Sequence, residues 1–417
     1  MQRYSALQIV RQALGGHRAW QPAWRAPEPK SAYDIIVVGG GGHGLATAHY
    51  LARNHSIGNV AVLEKGWIGG GNTGRNTTVI RSNYYWPESA RLYDFSLKLY
   101  EGLARELNFN IMLSQRGMLT TAHSRHDMEA AVRWVGAMRS NGVDAEMLDR
   151  REVAAAVPAL DQSPAARYPV FGGFRQKRGG TARHDAVTWG YARAADAAGV
   201  DILQGTEVTG FLRTSAGAVS GVETNRGPIR ADKVALAVAG HSSVLAALAG
   251  FRLPVTSHAL QAFVTEPVKP VLDTVLLSLA TGLYVSQSDK GGLVFGGALD
   301  HFPSYAQRGS TEVARGVIAA LAEQFPAFGR LRLLRQWAGI VDVVPDSSPI
   351  LGESPVPGLY LNCGWGTGGF KAIPAGGWLL AHHLATGRPH DLAAPFGADR
   401  FQKGRLIDEA AASGIAH

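Results

Sequence analysis

Four consecutive apolar residues, Ile35-Ile36-Val37-Val38, follow Tyr33-Asp34 and predict a strand buried on both faces. The run leads straight into Gly39-Gly40-Gly41-Gly42-His43-Gly44. Beyond it, Leu45, Ala48 and Leu51 or Ala52 recur at helical spacing, and Val60-Ala61-Val62-Leu63 is a second buried strand ending at Glu64. Strand, glycine loop, helix, strand and acid fit within about thirty residues, the length of a βαβ unit.

The pattern predicts further elements downstream. A helix opens at Pro87, where proline is comfortable in a first turn, with Leu92, Phe95, Leu99, Leu103 and Leu107 on one stripe. Arg116 to Thr121 reads as a strand and Arg125 to Asn141 as a helix. A weaker region runs on to Phe174. Val187 to Ala198 is helical, and Val200 to Thr206 and Lys233 to Val238 are strands. Residues 255–300 alternate as strands, and a helix covers Val313 to Gln324. Leu359-Tyr360-Leu361-Asn362 is a strand leading into Cys363-Gly364-Trp365-Gly366-Thr367-Gly368-Gly369-Phe370-Lys371, then an apolar helix near Gly376 to Thr386. Residues 1–30 end in the stretch Gln21 to Pro29, whose prolines at 22, 27 and 29 read as an extended arm rather than a helix.

Composition sharpens this outline. A chain of 417 residues suggests two or three domains, and 46% hydrophobic residues suffice for a large core. One cysteine, Cys363, excludes an internal disulfide and any cysteine-cluster metal site. No run is long and apolar enough for a membrane span, and no secretion signal is evident, so a soluble, cytoplasmic protein is expected. The formal charge is +8, but Arg3, Arg11, Arg18, Arg25 and Lys30 against Glu28 put +4 in the first thirty residues. The mild remainder, with no basic stripe interleaved with aromatics, points away from nucleic acid and towards an anionic ligand.

Gly39, Gly41 and Gly44 fit G-x-G-x-x-G. The first permits the tight turn, the second a close approach of pyrophosphate to backbone, and the third packing of helix on strand. The pyrophosphate then meets free N–H groups at a helix start. Glu64 lies 20 residues past Gly44, placed to accept from ribose hydroxyls, which favours FAD or NAD over NADP. Gly69 to Thr78, with Arg75 and nearby Arg81, suits further contacts to phosphate or a bound acid, or is a solvated loop.

The stretches Gly39–Gly44, Val62-Leu63-Glu64-Lys65-Gly66-Trp67, Gly70-Gly71-Asn72, Thr77-Thr78-Val79-Ile80-Arg81 and Asn362 to Lys371 resemble the D-amino-acid-oxidase-type flavin amine oxidases. Within these they resemble the β subunits of heterotetrameric sarcosine oxidases. The likeness spans Tyr33 to Pro389. It implies an α/β protein: a Rossmann-type FAD-binding domain over 30–115, 175–250 and 335–392, and an α+β substrate domain with a mostly antiparallel sheet over 116–174 and 251–334. An N-terminal arm (1–29) and a C-terminal tail (393–417) would flank them.

The same resemblance implies non-covalent FAD along Gly42, His43, Glu64, Asn72, Thr77, Ile80 and Val208, with Gly366 and Gly369 near the isoalloxazine. Arg81 and Lys371 match a basic pair that holds a substrate carboxylate, and Lys371 could instead serve a second flavin. His184, in Gly179-Gly180-Thr181-Ala182-Arg183-His184-Asp185, matches a histidine carrying covalent FMN. A neutral imidazole can attack the electrophilic 8α carbon of a flavin. Val294 stands where monomeric relatives have an oxygen-activating lysine. The implied reaction converts sarcosine to glycine and formaldehyde, electrons passing from FAD to FMN to oxygen to give hydrogen peroxide. The implied partners are an α subunit that binds NAD and passes the one-carbon unit to tetrahydrofolate, and γ and δ subunits, with zinc in δ. In this chain no metal is expected. His241, His258 and Cys363 read as structural. Other secondary-amine dehydrogenases (opine or dimethylglycine type) and a non-catalytic FAD-binding assembly subunit are the alternatives.

Overall fold

The computed structural model describes residues 5–18 and 22–407. Arg3 of the expected arm and residues 408–417 of the expected tail lie outside them. Strand β1 (Ala32–Val38) runs through the middle of an eight-stranded sheet. Strand β2 (Val60–Glu64) and strand Ile229–Leu236 flank it in parallel. Asp201–Gln204 adds beyond β2 in parallel, and on the other side Leu359–Cys363 adds in parallel and Ile350–Glu353 antiparallel. The continuous apolar run of β1 has a direct cause. Ile35 and Val37 enter the core on one face of the sheet, while Tyr33, Ile36 and Val38 enter the core on the other.

Helix Gly42–His55 follows β1 and packs on helix Ile373–Thr386. Gly44 makes the entry possible. A Cβ there would stand 1.9 Å from the carbonyl oxygen of Gly39, which itself sits at φ +110°. The clash is with backbone and cannot be relieved by a rotamer change. Gly44→Ala should therefore cost about 3 kcal/mol, the upper end of overpacking penalties. A fall in thermal midpoint together with loss of retained flavin would register it.

The second sheet also has eight strands, and all but one of its neighbouring pairs are antiparallel. Its strands come from Met118–Ala122, Glu146–Asp149, Gly172–Gln176, Thr256–Pro267, Val275–Ser278, Tyr284–Gln287, Gly292–Pro303 and Leu333–Val343. Leu333–Val343 is an unbroken strand of this sheet, so the expected boundary at 335 falls inside an element, and the one at 174 divides strand Gly172–Gln176.

Three local expectations change. Ala6–Leu14 is a helix capped by Ser5, upstream of the prolines, so the arm is not extended throughout. The weak region contains strand Glu146–Asp149 and helix Arg150–Ala156, the latter closed by an Asp149–Glu152 capping box. In helix Pro87–Glu106 the buried face is Leu92, Tyr93, Ser96, Leu97, Tyr100 and Leu103, while Phe95 and Leu99 are only half-buried. Tyrosine and serine enter the core there because their hydroxyls find carbonyls: Ser96 Oγ donates to Lys371 O at 2.7 Å and Tyr100 Oη to Phe370 O at 2.6 Å. The described part of the tail is also anchored. Arg400, 2% exposed, donates to both oxygens of the fully buried Asp346, at 2.8 and 2.9 Å.

Candidate cofactor and substrate site

A cavity of about 820 Å³ lies where the carboxyl ends of β1 and β2 meet the second sheet. That is where open α/β sheets bind ligands, and the volume is that of a cofactor site. One end is walled by Glu64 and Val208, the other by Trp365, Gly366 and Lys371, and the second sheet roofs it with Leu260, Ala262, Tyr284 and Val341.

The glycine loop forms the floor. Helix Gly42–His55 has no side-chain cap at Gly41; its first amide, Gly42 N, donates to Thr73 Oγ1 at 3.0 Å, and the first-turn amides beyond it are left for an anion. Glu64 lies beneath the loop and accepts from the N–H of Gly40 at 2.9 Å and of Gly66 at 2.8 Å. This fixes its carboxylate with lone pairs still free for a ribose hydroxyl. His43 stacks on Trp365, ring centroids 4.7 Å apart, and its Nε2 donates to Gly369 O at 2.9 Å. Burial lowers its pKa to about 4, so the ring is neutral, and its buried Nδ1 has no partner. The imidazole ties the first-turn helix to the distant glycine loop.

Of the residues singled out from the sequence, Gly39, Gly41, Gly42, His43, Glu64, Asn72, Thr77, Val208, Gly366, Gly369 and Lys371 line this cavity. The Asn72 side chain is occupied: its Oδ1 accepts from Ile340 N at 2.6 Å and its Nδ2 donates to Ile340 O. It clips the first sheet's loop to the second sheet. Ile80 lies off the cavity, 1% exposed and paired with Gly180 in a two-stranded ribbon. Val294 is not among the lining residues either.

Arg81 and Lys371 are both buried, 4% and 5% exposed. Lys371 Nζ donates to Thr367 O at 2.8 Å and faces the main cavity. Arg81 donates to Asn83 Oδ1 at 2.6 Å, lies over the Tyr84 ring, and borders a small adjoining cavity of about 20 Å³. Residues Trp365, Gly366 and Thr367 wall both spaces. Burial, and then the Arg81 charge, push the Lys371 amine well below its ordinary pKa. Among the described residues no carboxylate pairs with either cation. A guanidinium and a neighbouring amine, both buried without an anionic partner among the described residues, can accommodate a carboxylate ligand.

His184 starts helix His184–Ala197 and lines neither cavity. It is half-buried, its Nδ1 is buried without a hydrogen-bond partner, and burial lowers its pKa. Neighbouring Arg183 and Asp185 pair with each other at 2.8 Å.

The sequence reading passed over Asp342 and Tyr284. Asp342 is an acid inside the apolar run Ile340–Val344, a signal that could have marked it. Its pKa is raised to about 6 by burial, against the pull of several backbone amides. The Tyr284 phenol hydrogen-bonds Thr77, and burial raises its pKa to about 12. Cys363 is fully buried and its thiol is pushed well up, which leaves it unreactive. His241 lines the cavity. His258 is held by Asp300 O and Thr256. Among the described residues no cluster could hold a metal ion, and no helix is long and apolar enough to cross a membrane.

Residues 34–383 match the family described as FAD dependent oxidoreductase. The chain is 54% identical over 417 residues, all of both chains, to a Rhodobacter capsulatus protein named sarcosine oxidase subunit beta. It is 56% identical to the protein of that name from Rhizobium meliloti, covering 98% of this chain and 97% of the other. Among solved structures, L-proline dehydrogenase from P. horikoshii superposes with a TM-score of 0.84 at 29% identity, covering 91% of this chain and all of the other. Glycine oxidase from Geobacillus kaustophilus gives 0.80 at 24% identity, with 89% and 99% covered, a likeness of fold.

Proposed function

The chain belongs to the FAD dependent oxidoreductase family, and from that premise we propose that it serves as the β subunit of a sarcosine oxidase. The overall reaction takes sarcosine, water and oxygen to glycine, formaldehyde and hydrogen peroxide. The observation that carries the substrate class is the buried, anion-free pair Arg81 and Lys371 at the Trp365 end of the cavity. FAD, bound without a covalent link, supplies the acceptor for the hydrogen lost from the amine's C–H bond. Gly39, Gly41, Gly42 and Glu64 would hold its dinucleotide, with Thr77 and Val208 along the walls. Lys371, with Arg81 behind it, would fix the substrate carboxylate, and so fix which C–H bond faces the ring; positioning of this kind is a large part of catalysis. The apolar roof of Leu260, Ala262 and Val341 keeps water from the amine.

His184 would carry a covalent FMN. Because it lines neither cavity, that group would be covered from outside this chain, consistent with α, γ and δ partners. In the same reading α binds NAD and passes the one-carbon product to tetrahydrofolate, and the complex works in the cytoplasm. The likeness to an L-proline dehydrogenase favours one second reading, a dehydrogenase of another secondary amine such as proline. The test is anaerobic addition of each amine to the flavin-loaded complex. Sarcosine should bleach the flavin with a kcat/KM at least tenfold above those for proline, dimethylglycine and octopine. Equal or better bleaching by proline would transfer the assignment to the second reading, and no bleaching by any amine would favour an assembly role.

A further inference from the structure

Asp342 has no place in the scheme above, yet it is a buried acid at the cavity wall, 2% exposed, with no ion-pair partner among the described residues. A buried carboxylate without a cation must be met by hydrogen-bond donors. Here the donors are backbone amides. Gly364 N donates to Oδ2 at 2.5 Å, and the amides of Trp365 and Gly366 lie near enough to add their pull on the same carboxylate. Gly364 and Gly366 take φ of +72° and +51°, which curls the turn so that its successive N–H groups face the side of the carboxylate.

The cradled turn governs the substrate end of the cavity. Trp365, in its middle, stacks on His43 and donates from Nε1 to Asn362 Oδ1 at 2.7 Å. Thr367, the residue after the turn, offers the carbonyl that receives Lys371 Nζ. Asp342 itself is carried by strand Leu333–Val343, paired with Ser257 in the second sheet. A rigid strand of one sheet thus holds, through one side chain, the loop that extends from the other.

We infer that Asp342 is a positioning residue: its carboxylate, clasped by the Gly364 amide with those of Trp365 and Gly366 close by, sets the turn that presents Gly366 to the flavin and Lys371 to the substrate carboxylate. The inference rests on the reading of the cavity as the flavin and substrate site. Asp342→Asn keeps the shape but sets an NH₂ or a weaker carbonyl against the amide donors; Asp342→Glu keeps the charge on a longer stem.

The experiment compares both variants with the wild-type complex by FAD dissociation on dilution, by steady-state kinetics on sarcosine, and by the flavin spectral shift on adding acetate as a carboxylate probe. Asp342→Asn should release FAD at least tenfold faster, raise KM for sarcosine more than it lowers kcat, and weaken acetate binding at least tenfold. Asp342→Glu should recover part of each loss. FAD release and acetate binding within twofold of wild type in the Asn variant would overturn the inference. So would equal losses in both variants that merely track a lower thermal midpoint. If the Asn variant does not fold, hydrogen exchange on the wild-type complex decides: the amides of residues 364–366 should be among the slowest of the loop, and rapid exchange there rejects the clasp. If wild type itself shows neither acetate shift nor sarcosine bleaching, it is the substrate reading that fails, while FAD release still tests Asp342.

Discussion

His184→Ala should yield a chain that, after denaturation, carries no flavin fluorescence on a gel and no FMN mass increment, whereas the wild-type chain from the complex shows both. Three features of this histidine lead there. It stands in the first turn of helix His184–Ala197, so its side chain is fixed at the root. Burial lowers its pKa, which leaves the imidazole neutral and nucleophilic near pH 7. Its Nδ1 is buried without a hydrogen-bond partner, so that nitrogen is committed to no neighbour in this chain. The change should be all-or-none in the adduct and small in FAD content, because His184 borders neither cavity. Non-covalent FAD released by denaturing the variant should therefore match wild type. An adduct that persists in the variant, or a wild-type chain without one, removes His184 from this role. Loss of FAD together with FMN would mean that the substitution had disturbed the fold instead.

The contrast between these residues and their visibility in the sequence has a physical basis. The unit β1, glycine loop, helix Gly42–His55, β2 and Glu64 was legible because every contact that defines it is local: the glycine spacing, the two apolar runs and the acid lie within one short stretch. The partnership of Arg81 with Lys371 was reached only through resemblance. They are 290 residues apart and meet because Leu359–Cys363 joins the same sheet as β1 in the same sense and delivers the Gly364–Lys371 loop to the carboxyl edge that also carries the glycine loop. Asp342 escaped attention because its partners are amides, which have no residue identity to read. The buried face of helix Pro87–Glu106 was misjudged for a related reason. Leucine spacing marked one stripe, but carbonyls of the Phe370-Lys371 turn admit Ser96 and Tyr100, so polar residues occupy the inner face. Helix Ala6–Leu14 was hidden by the prolines after it, which restrict their own positions and the residue before each, and nothing further upstream.

Lys371→Met should lower kcat/KM for sarcosine on the order of a hundredfold or more while FAD remains bound. Methionine keeps much of the stem that crosses the buried space, so the change removes a charge more than volume. Losing one cation opposite a desolvated carboxylate costs roughly 2–5 kcal/mol, and each 1.4 kcal/mol is tenfold. Arg81 would remain, but it borders the small cavity behind the Trp365–Thr367 wall and cannot replace the amine that faces the main one. The pH dependence has a definite sign. Burial, then Arg81, hold the Lys371 amine well below its ordinary pKa, so in the free protein its charge is lost at lower pH than for a surface lysine. A bound carboxylate favours the protonated amine. Affinity is therefore full below the free-protein pKa of Lys371 and falls as pH rises through it. The wild-type complex should show this decline in acetate binding with rising pH, and Lys371→Met should bind weakly at every pH with the decline gone. The same variant separates the two roles open to this lysine. If it serves the second flavin instead, KM for sarcosine and acetate affinity will stay within threefold of wild type, and the FMN adduct at His184 will be the quantity that changes.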